Sequence, residues 1–282
     1  MSENRQFTAA LVQTCTSRDV ARNLSEIGAM IRDAAGAGAS YVQTPEVTTV
    51  LETDSKRMPD VILPEEGNPA LGHYADLAKE LGIWLHIGSM AVATDEPRYA
   101  NRAYLFAPTG QLAARYDKIH MFDVQIGEGQ TYRESKRYAP GTASVLADLP
   151  WGTLGITICY DMRFPGLYRA LAKAGAELIA VPSSFTVPTG RAHWHTLLRA
   201  RAIETQCFVL AAAQAGDNEC GRQTYGHSII ISPWGEVLAE ADGETAGVIA
   251  ATIDLAEVDK ARSRIPSLTN DQPFDIVRAE PI

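Results

Sequence analysis

Strand-like and helix-like segments alternate along nearly the whole of this chain, and that alternation leaves few folds open to it. Residues 7–14 form an apolar run suited to a buried strand, and residues 19–35 bring Val20, Leu24, Ile27 and Ile31 onto one helical face. Residues 41–46 read as a short strand stopped at Pro45, residues 69–81 as a helix and residues 84–93 as a strand. Later strands over 154–159, 177–181 and 208–213 are separated by helices over 164–176, with Pro165 in the first turn, and 191–206. Strands separated by single helices imply an α/β protein with a mainly parallel sheet covered by helices.

Three turns modify that picture. Pro108-Thr109-Gly110, Pro150-Trp151-Gly152 and Pro233-Trp234-Gly235 each lie between two strand-like runs. Proline presets φ early in a turn and glycine tolerates positive φ near its end. Each is a hairpin candidate, as where residues 102–106 return as 112–116. Antiparallel pairs added in this way favour two stacked sheets over one open sheet.

A chain of 282 residues, 46% of them hydrophobic, can bury a sizeable core. No linker or charge block divides it, so residues 1–265 read as a single domain and the unpatterned residues 266–282 as a C-terminal arm. The net charge of -9 is spread out, and no cluster of Lys and Arg offers a nucleic-acid surface. No stretch approaches the ~20 apolar residues that span a bilayer, and the opening apolar run is too short for a signal-peptide core. The expectation is a cytoplasmic protein with neither nucleic-acid nor membrane partner.

Cys15, Cys159, Cys207 and Cys220 form no C-x-x-C pair and match no zinc spacing. His193 and His195 lie two apart on an expected helix, so they face different ways. With His120 and His227 they read as packed or supporting histidines, and no metal is assigned. Nor is there a phosphate-cradling glycine loop or nucleotide fingerprint, so no cofactor is expected.

Cys159 closes a buried strand shortly before a helix. Carboxyl ends of strands open onto the ligand crevice of α/β sheets, and partial positive charge at a helix start favours a thiolate. A lone cysteine in a strand is more commonly an inert small hydrophobe, so position alone does not decide. Glu46 and Lys118 also follow strands. If three strand ends of one sheet converge, a carboxylate, an ammonium and a thiol supply base, oxyanion stabiliser and nucleophile for acyl transfer.

The segments TPE at Glu46, RYDKIHMFD at Lys118 and GITICYDMRFP at Cys159, in this order, resemble the three signature regions of the nitrilase, or carbon–nitrogen hydrolase, superfamily. That resemblance spans nearly the whole chain. It implies a four-layer α-β-β-α sandwich, a Glu46–Lys118–Cys159 triad and a second glutamate before a Pro-Gly pair. With Pro140-Gly141 as that pair, Glu134 takes the role ahead of its neighbour Glu128. Pairing into a homodimer through the helices expected over 164–176 and 191–206 is implied as well.

Two further stretches, GRAHWHTLLRARAIETQCFVLAAAQAG and YGHSIIISPWGEVLAE, look like the branch acting on deaminated glutathione, while ESK around Glu134 looks like the omega-amidase branch. The resemblance thus implies hydrolysis of a small primary amide, either a 2-oxo-acid amide or deaminated glutathione, through a Cys159 thioester. The backbone N–H of Tyr160 would assist Lys118 at the oxyanion. An anionic substrate needs local cations, for which Arg133, Lys136, Arg137 and Arg191 are candidates, with Phe185 and Trp194 as candidate walls. Competing readings are a carbamoyl-amide hydrolase, a nitrilase with the same triad, or a catalytically silent scaffold dimer. A thiol-redox role lacks a resolving cysteine near Cys159 in sequence.

Overall fold

The computed structural model describes residues 5–127 and 130–279. Its first half runs β1 (Gln6–Gln13), α1 (Val20–Gly36), β2 (Tyr41–Gln43), α2 (Met58–Val61), α3 (Pro69–Leu81), β3 (Trp84–Val92), β4 (Ala100–Phe106) and β5 (Leu112–Asp117). A small hairpin, β6 (Asp123–Gly127) and β7 (Gln130–Arg133), leads to β8 (Val145–Asp148), β9 (Thr153–Ile156), α4 (Pro165–Lys173), β10 (Leu178–Ala180), α5 (Val187–Thr205) and β11 (Phe208–Ala211). A second hairpin, β12 (Ala215–Asp217) and β13 (Gln223–Tyr225), precedes β14 (Ile229–Ile231), β15 (Val237–Glu240), β16 (Gly247–Asp254) and α6 (Ala256–Arg264).

Two six-stranded sheets result, ordered β16-β1-β2-β3-β4-β5 and β15-β14-β11-β10-β9-β8. Both have one plan. Three parallel strands occupy the middle, β1-β2-β3 in one and β9-β10-β11 in the other, and antiparallel strands flank them. The three P-x-G turns close the antiparallel pairs β4–β5, β8–β9 and β14–β15. Gly110 and Gly235 take φ of 81° and 85°, the conformation for which their turns need glycine.

The layering follows from side-chain alternation along β1. Ala9 and Leu11 point into a core shared with Ile156, Leu178 and Leu210 of the second sheet, so the sheets stack face to face. Ala10 and Val12 point the other way, into a second core with Ile27 and Ile31 of α1 and Tyr74 and Leu77 of α3. On the far side, Tyr168 and Leu171 of α4 and Trp194, Leu198 and Ala202 of α5 cover the second sheet. The order helix, sheet, sheet, helix is the four-layer sandwich.

Two expected boundaries shift. The strand before Cys159 ends at Ile156, and a five-residue 3-10 turn over Cys159–Arg163 intervenes before α4. Helix α5 begins at Val187, four residues before the expected start, because Pro188 sits in the first turn where its missing N–H costs nothing. Beyond α6, residues 265–279 hold no helix or strand, and Phe274, Ile276 and Val277 are exposed. Asp271 nevertheless ties this stretch to α4 through Arg169 at 2.8 Å and Lys173 at 3.1 Å. Among the described residues no helix is long and apolar enough to cross a membrane.

Candidate active site

Glu46 leaves β2 and Lys118 leaves β5, both in the first sheet; Cys159 leaves β9 and Ser184 leaves β10, both in the second. The expectation that strand ends of one sheet converge is therefore corrected: the site straddles the interface between two stacked sheets. Close approach there depends on Gly88 in β3. A Cβ at that position would lie 2.6 Å from the Pro45 carbonyl oxygen, and closer still to the Thr44 carbonyl oxygen and the Pro182 ring.

Lys118 Nζ, 2% exposed, donates to Glu46 Oε1 at 2.9 Å and to Glu134 Oε1 and Oε2 at 3.0 and 2.9 Å. Of the two candidate second glutamates, Glu134 is the one against Lys118; Glu128 lies outside the described residues. Asn101 Nδ2 donates to Glu46 at 2.9 Å and to Glu134 at 3.3 Å, and the Phe122 N–H donates to Glu134 at 2.6 Å. The other oxygen of Glu46 accepts the Ser184 N–H at 2.9 Å. Cys159 is buried, and the charge of the Glu46 carboxylate acts on its thiol.

These contacts set the charges. Burial works to raise the Glu46 carboxyl, but the charge and hydrogen bond of Lys118 outweigh it, so Glu46 titrates below the usual carboxylate range. Burial likewise opposes charge on Lys118, yet Glu134 and Glu46 together hold it well above the usual lysine range. For Cys159, burial and then the Glu46 charge push the thiol well above its ordinary value. The surroundings thus give no support to a resting thiolate. The helix that was to favour it starts only at Pro165, and a negative carboxylate stands beside the sulfur. The three groups stand together as a carboxylate, an ammonium and a thiol held toward its neutral form.

Cys159 is also held mechanically. Cys159 adopts φ of 49°, and Val47, next to Glu46, adopts 56°. Both lie in the left-handed region that ordinary residues avoid. Around Cys159, the fully buried Asp161 accepts four hydrogen bonds. Tyr116 Oη at 2.7 Å and the Ile158 N–H at 2.9 Å reach Oδ2; the His120 N–H at 3.0 Å and His120 Nδ1 at 2.7 Å reach Oδ1. Asp161 so joins the Cys159 turn to the segment that carries Lys118. The Tyr160 N–H finds no acceptor among the described residues, leaving it available at the head of the turn.

A cavity of about 540 Å³ opens above the triad. Arg133, Lys136, Arg137 and Phe185 line it. Arg191 and Trp194 do not, which corrects their assignment. Arg191 projects outward from α5, and Trp194 is fully buried behind Phe185 with its indole N–H on the His227 carbonyl at 2.8 Å. Asn101, Asp161, Ser184 and Arg222 were not anticipated. Asp161 stands inside the CYD motif and could have been found there. Arg222 carried no local signal: it reaches the cavity on the β12–β13 hairpin, where it donates to the Ser184 carbonyl at 2.6 Å and lies 5.8 Å over the Tyr132 ring.

Comparison with known proteins agrees with this geometry. The carbon-nitrogen hydrolase family model matches residues 8–263. The chain is 38% identical over 271 residues to a deaminated glutathione amidase of Yersinia enterocolitica, covering 95% of this chain and 94% of that one. It is 36% identical over 262 residues to human omega-amidase, covering 92% and 93%. Among solved structures, the C. elegans NitFhit protein superposes with a TM-score of 0.89 at 34% identity, over 95% of this chain and 65% of that longer one. Saccharomyces cerevisiae Nit3, a member of branch 10 of the nitrilase superfamily, superposes at 0.83 with 29% identity, over 93% and 94%. The chain belongs to the carbon–nitrogen hydrolase family. It is an enzyme, an amidase-type hydrolase of the nitrilase superfamily.

Proposed function

We propose that this enzyme hydrolyses a small anionic primary amide, either a 2-oxo-acid amide or deaminated glutathione, to the carboxylate and ammonia. One observation carries the reading: a buried ammonium gripped by Glu46 and Glu134 lies with the Cys159 thiol at the floor of one cavity rimmed by cations. Glu46 takes the Cys159 proton as sulfur bonds to the amide carbon. Lys118 and the Tyr160 N–H hold the resulting oxyanion, a contact whose loss elsewhere costs ~2.7–4 kcal/mol per donor. Glu46 returns the proton to the nitrogen, the C–N bond breaks, and ammonia departs to leave a thioester. Glu46 then draws a proton from water, hydroxide adds to the thioester carbon, and collapse releases the acid and the thiol. Glu134 keeps Lys118 charged and aimed throughout. Arg222 and the rim cations Arg133, Lys136 and Arg137 receive the carboxylate of the substrate.

The relatives named deaminated glutathione amidase and omega-amidase support this substrate class. The intact Glu46, Lys118 and Cys159 speak against a silent scaffold. A cytoplasmic setting, where the thiol stays reduced, suits the chemistry. We read residues 1–265 as the catalytic unit and the remainder as an arm. A homodimer through α4 and α5 is supported by the outward face of α4, where Gly166 and Ala170, with Ala174 at the helix end, are exposed and small, while Leu171 packs into the core.

The test is ammonia release across a panel of 2-oxo-acid amides, deaminated glutathione, nitriles and carbamoyl compounds. Highest kcat/KM is expected for an amide bearing a carboxylate. A panel in which nitriles or carbamoyl compounds lead by tenfold or more would replace the proposal with the corresponding reading.

A further inference from the structure

Away from the catalytic cavity, three side chains that no step of the reaction uses converge on the outer side of α5. His195 of α5 sets its Nε2 2.8 Å from Glu240 Oε1, and His227, just before β14, sets its Nδ1 2.9 Å from the same oxygen. All three donor atoms lie within 4.8 Å of one another. The 31 residues between the histidines kept this pairing out of any sequence motif. We propose that His195, His227 and Glu240 bind a divalent transition-metal ion of the zinc type, with two imidazole nitrogens and one carboxylate oxygen as protein ligands and a water in the fourth position.

The donor set is the first argument. Two histidines and a carboxylate are a sufficient protein ligand set for tetrahedral zinc with one open position. Metal–ligand bonds of ~2.0–2.1 Å at tetrahedral angles separate donors by about 3.3 Å. The two nitrogen–oxygen contacts need open by only about 0.5 Å to admit an ion at that geometry.

Preorganisation is the second. His227 takes a left-handed φ of 57°, and its N–H donates to the Asp242 carbonyl at 3.1 Å. The indole of Trp194, the neighbour of His195, donates to the His227 carbonyl at 2.8 Å, which locks α5 to this loop. Tyr225 packs 4.4 Å from the His227 ring on one side. Gly243 backs the ring on the other, since a Cβ there would come within 2.8 Å of Nε2. That contact leaves Nδ1 as the nitrogen facing Glu240. The third argument is access: the side chains of His195, His227 and Glu240 are 36%, 28% and 32% exposed, open enough for an ion to enter.

None of the three lines the catalytic cavity. An ion here would act as a clamp between α5 and β15, and the segment leading into α5 carries Ser184 and Phe185 of the cavity wall. Its effect is on stability, not on bond cleavage.

The experiment uses the full chain without a histidine tag, stripped with EDTA and titrated with Co2+ and Zn2+. One Co2+ per chain is expected, with visible bands of a tetrahedral nitrogen–oxygen site. His195→Ala and Glu240→Gln should each weaken binding by at least the ~10–100-fold that losing an outer-shell partner costs. Zn2+ should raise the Tm of the wild type and leave both variants unmoved, while amide hydrolysis persists in the stripped protein. Three outcomes would overturn the proposal: no uptake, which makes the cluster a carboxylate-bridged histidine pair; uptake unchanged in both variants; or a sulfur-to-cobalt charge-transfer band, which assigns the metal to cysteines.

Discussion

Replacing Asp161 by asparagine tests how the nucleophile is held, because the change keeps size and shape while altering only the acceptors. The carboxylate serves four donors at once, two on each oxygen. An asparagine must present an NH2 group to one pair. If it faces the Oδ2 partners, Tyr116 can turn its hydroxyl and accept, but the Ile158 N–H is orphaned. If it faces the Oδ1 partners, a change of His120 tautomer rescues the ring nitrogen, but the His120 N–H is orphaned. Either way one buried backbone donor is lost, a cost of about 1–3 kcal/mol. Asp161 does not line the cavity, so substrate binding is untouched directly. The turn at Cys159 loosens, however, and a misplacement of about 1 Å costs on the order of 100-fold in rate. Urea unfolding should show the stability loss. Steady-state ammonia release should show kcat lowered about 10–100-fold with KM within about twofold. A variant with wild-type stability and wild-type kcat would refute the view that Asp161 positions the thiol.

Glu46→Gln should lower turnover by at least ~10²–10⁴-fold, since both proton transfers lose their base; Glu134→Gln should retain more activity, and the reverse order would exchange their roles. Arg222→Ala should raise KM for carboxylate-bearing amides more than for neutral ones, and an equal effect on both would remove it as the anchor. Gly88→Ala should cost about 3 kcal/mol or more, or prevent folding, because the added methyl meets rigid backbone; a Tm near wild type would contradict that. For pH, the raised Cys159 value means the folded protein keeps a proton that the unfolded chain releases above about pH 8.5. Stability should therefore fall as pH rises past that point, by up to about 1.4 kcal/mol per unit. Cys159→Ala should remove this part of the slope in urea unfolding series, and identical slopes would refute it. The depressed Glu46 value works oppositely: its stabilisation is full above about pH 4.3 and is lost as pH falls through the lower folded value.

Much of this was legible in the sequence because it is local. The helix over Pro69–Leu81 follows from its apolar spacing and from Asn68, whose side chain caps the Ala70 N–H at 3.0 Å. Hairpins followed from proline and glycine. The grouping of Glu46, Lys118 and Cys159 as candidates followed from three short motifs. What stayed hidden was long-range. Nothing near Glu46 or Cys159 says that they leave different sheets, since that depends on which strands stack. Strand β16 pairs with β1 over eight residues, yet its turns and alternation carry no sign of that distant partner. Arg222 arrives from a hairpin far along the chain, and Asn101 points into the site from an ordinary strand. Arg191 and Trp194 failed as contacts for the same reason: helix spacing gives a face, but only packing decides which face meets the cavity.

The left-handed backbone at Val47 and Cys159 has an evolutionary consequence. Conformations of this kind cost on the order of 1–3 kcal/mol each and persist only where surroundings enforce them. Glycine would relieve that tension at either position, so the fold is kept less stable than its own topology permits, beside Glu46 and at Cys159. A descendant released from catalysis would gain by drifting toward glycine there. Valine at φ of 56° and cysteine at 49° therefore give up stability for the placement of the neighbouring Glu46 carboxylate and of the Cys159 thiol.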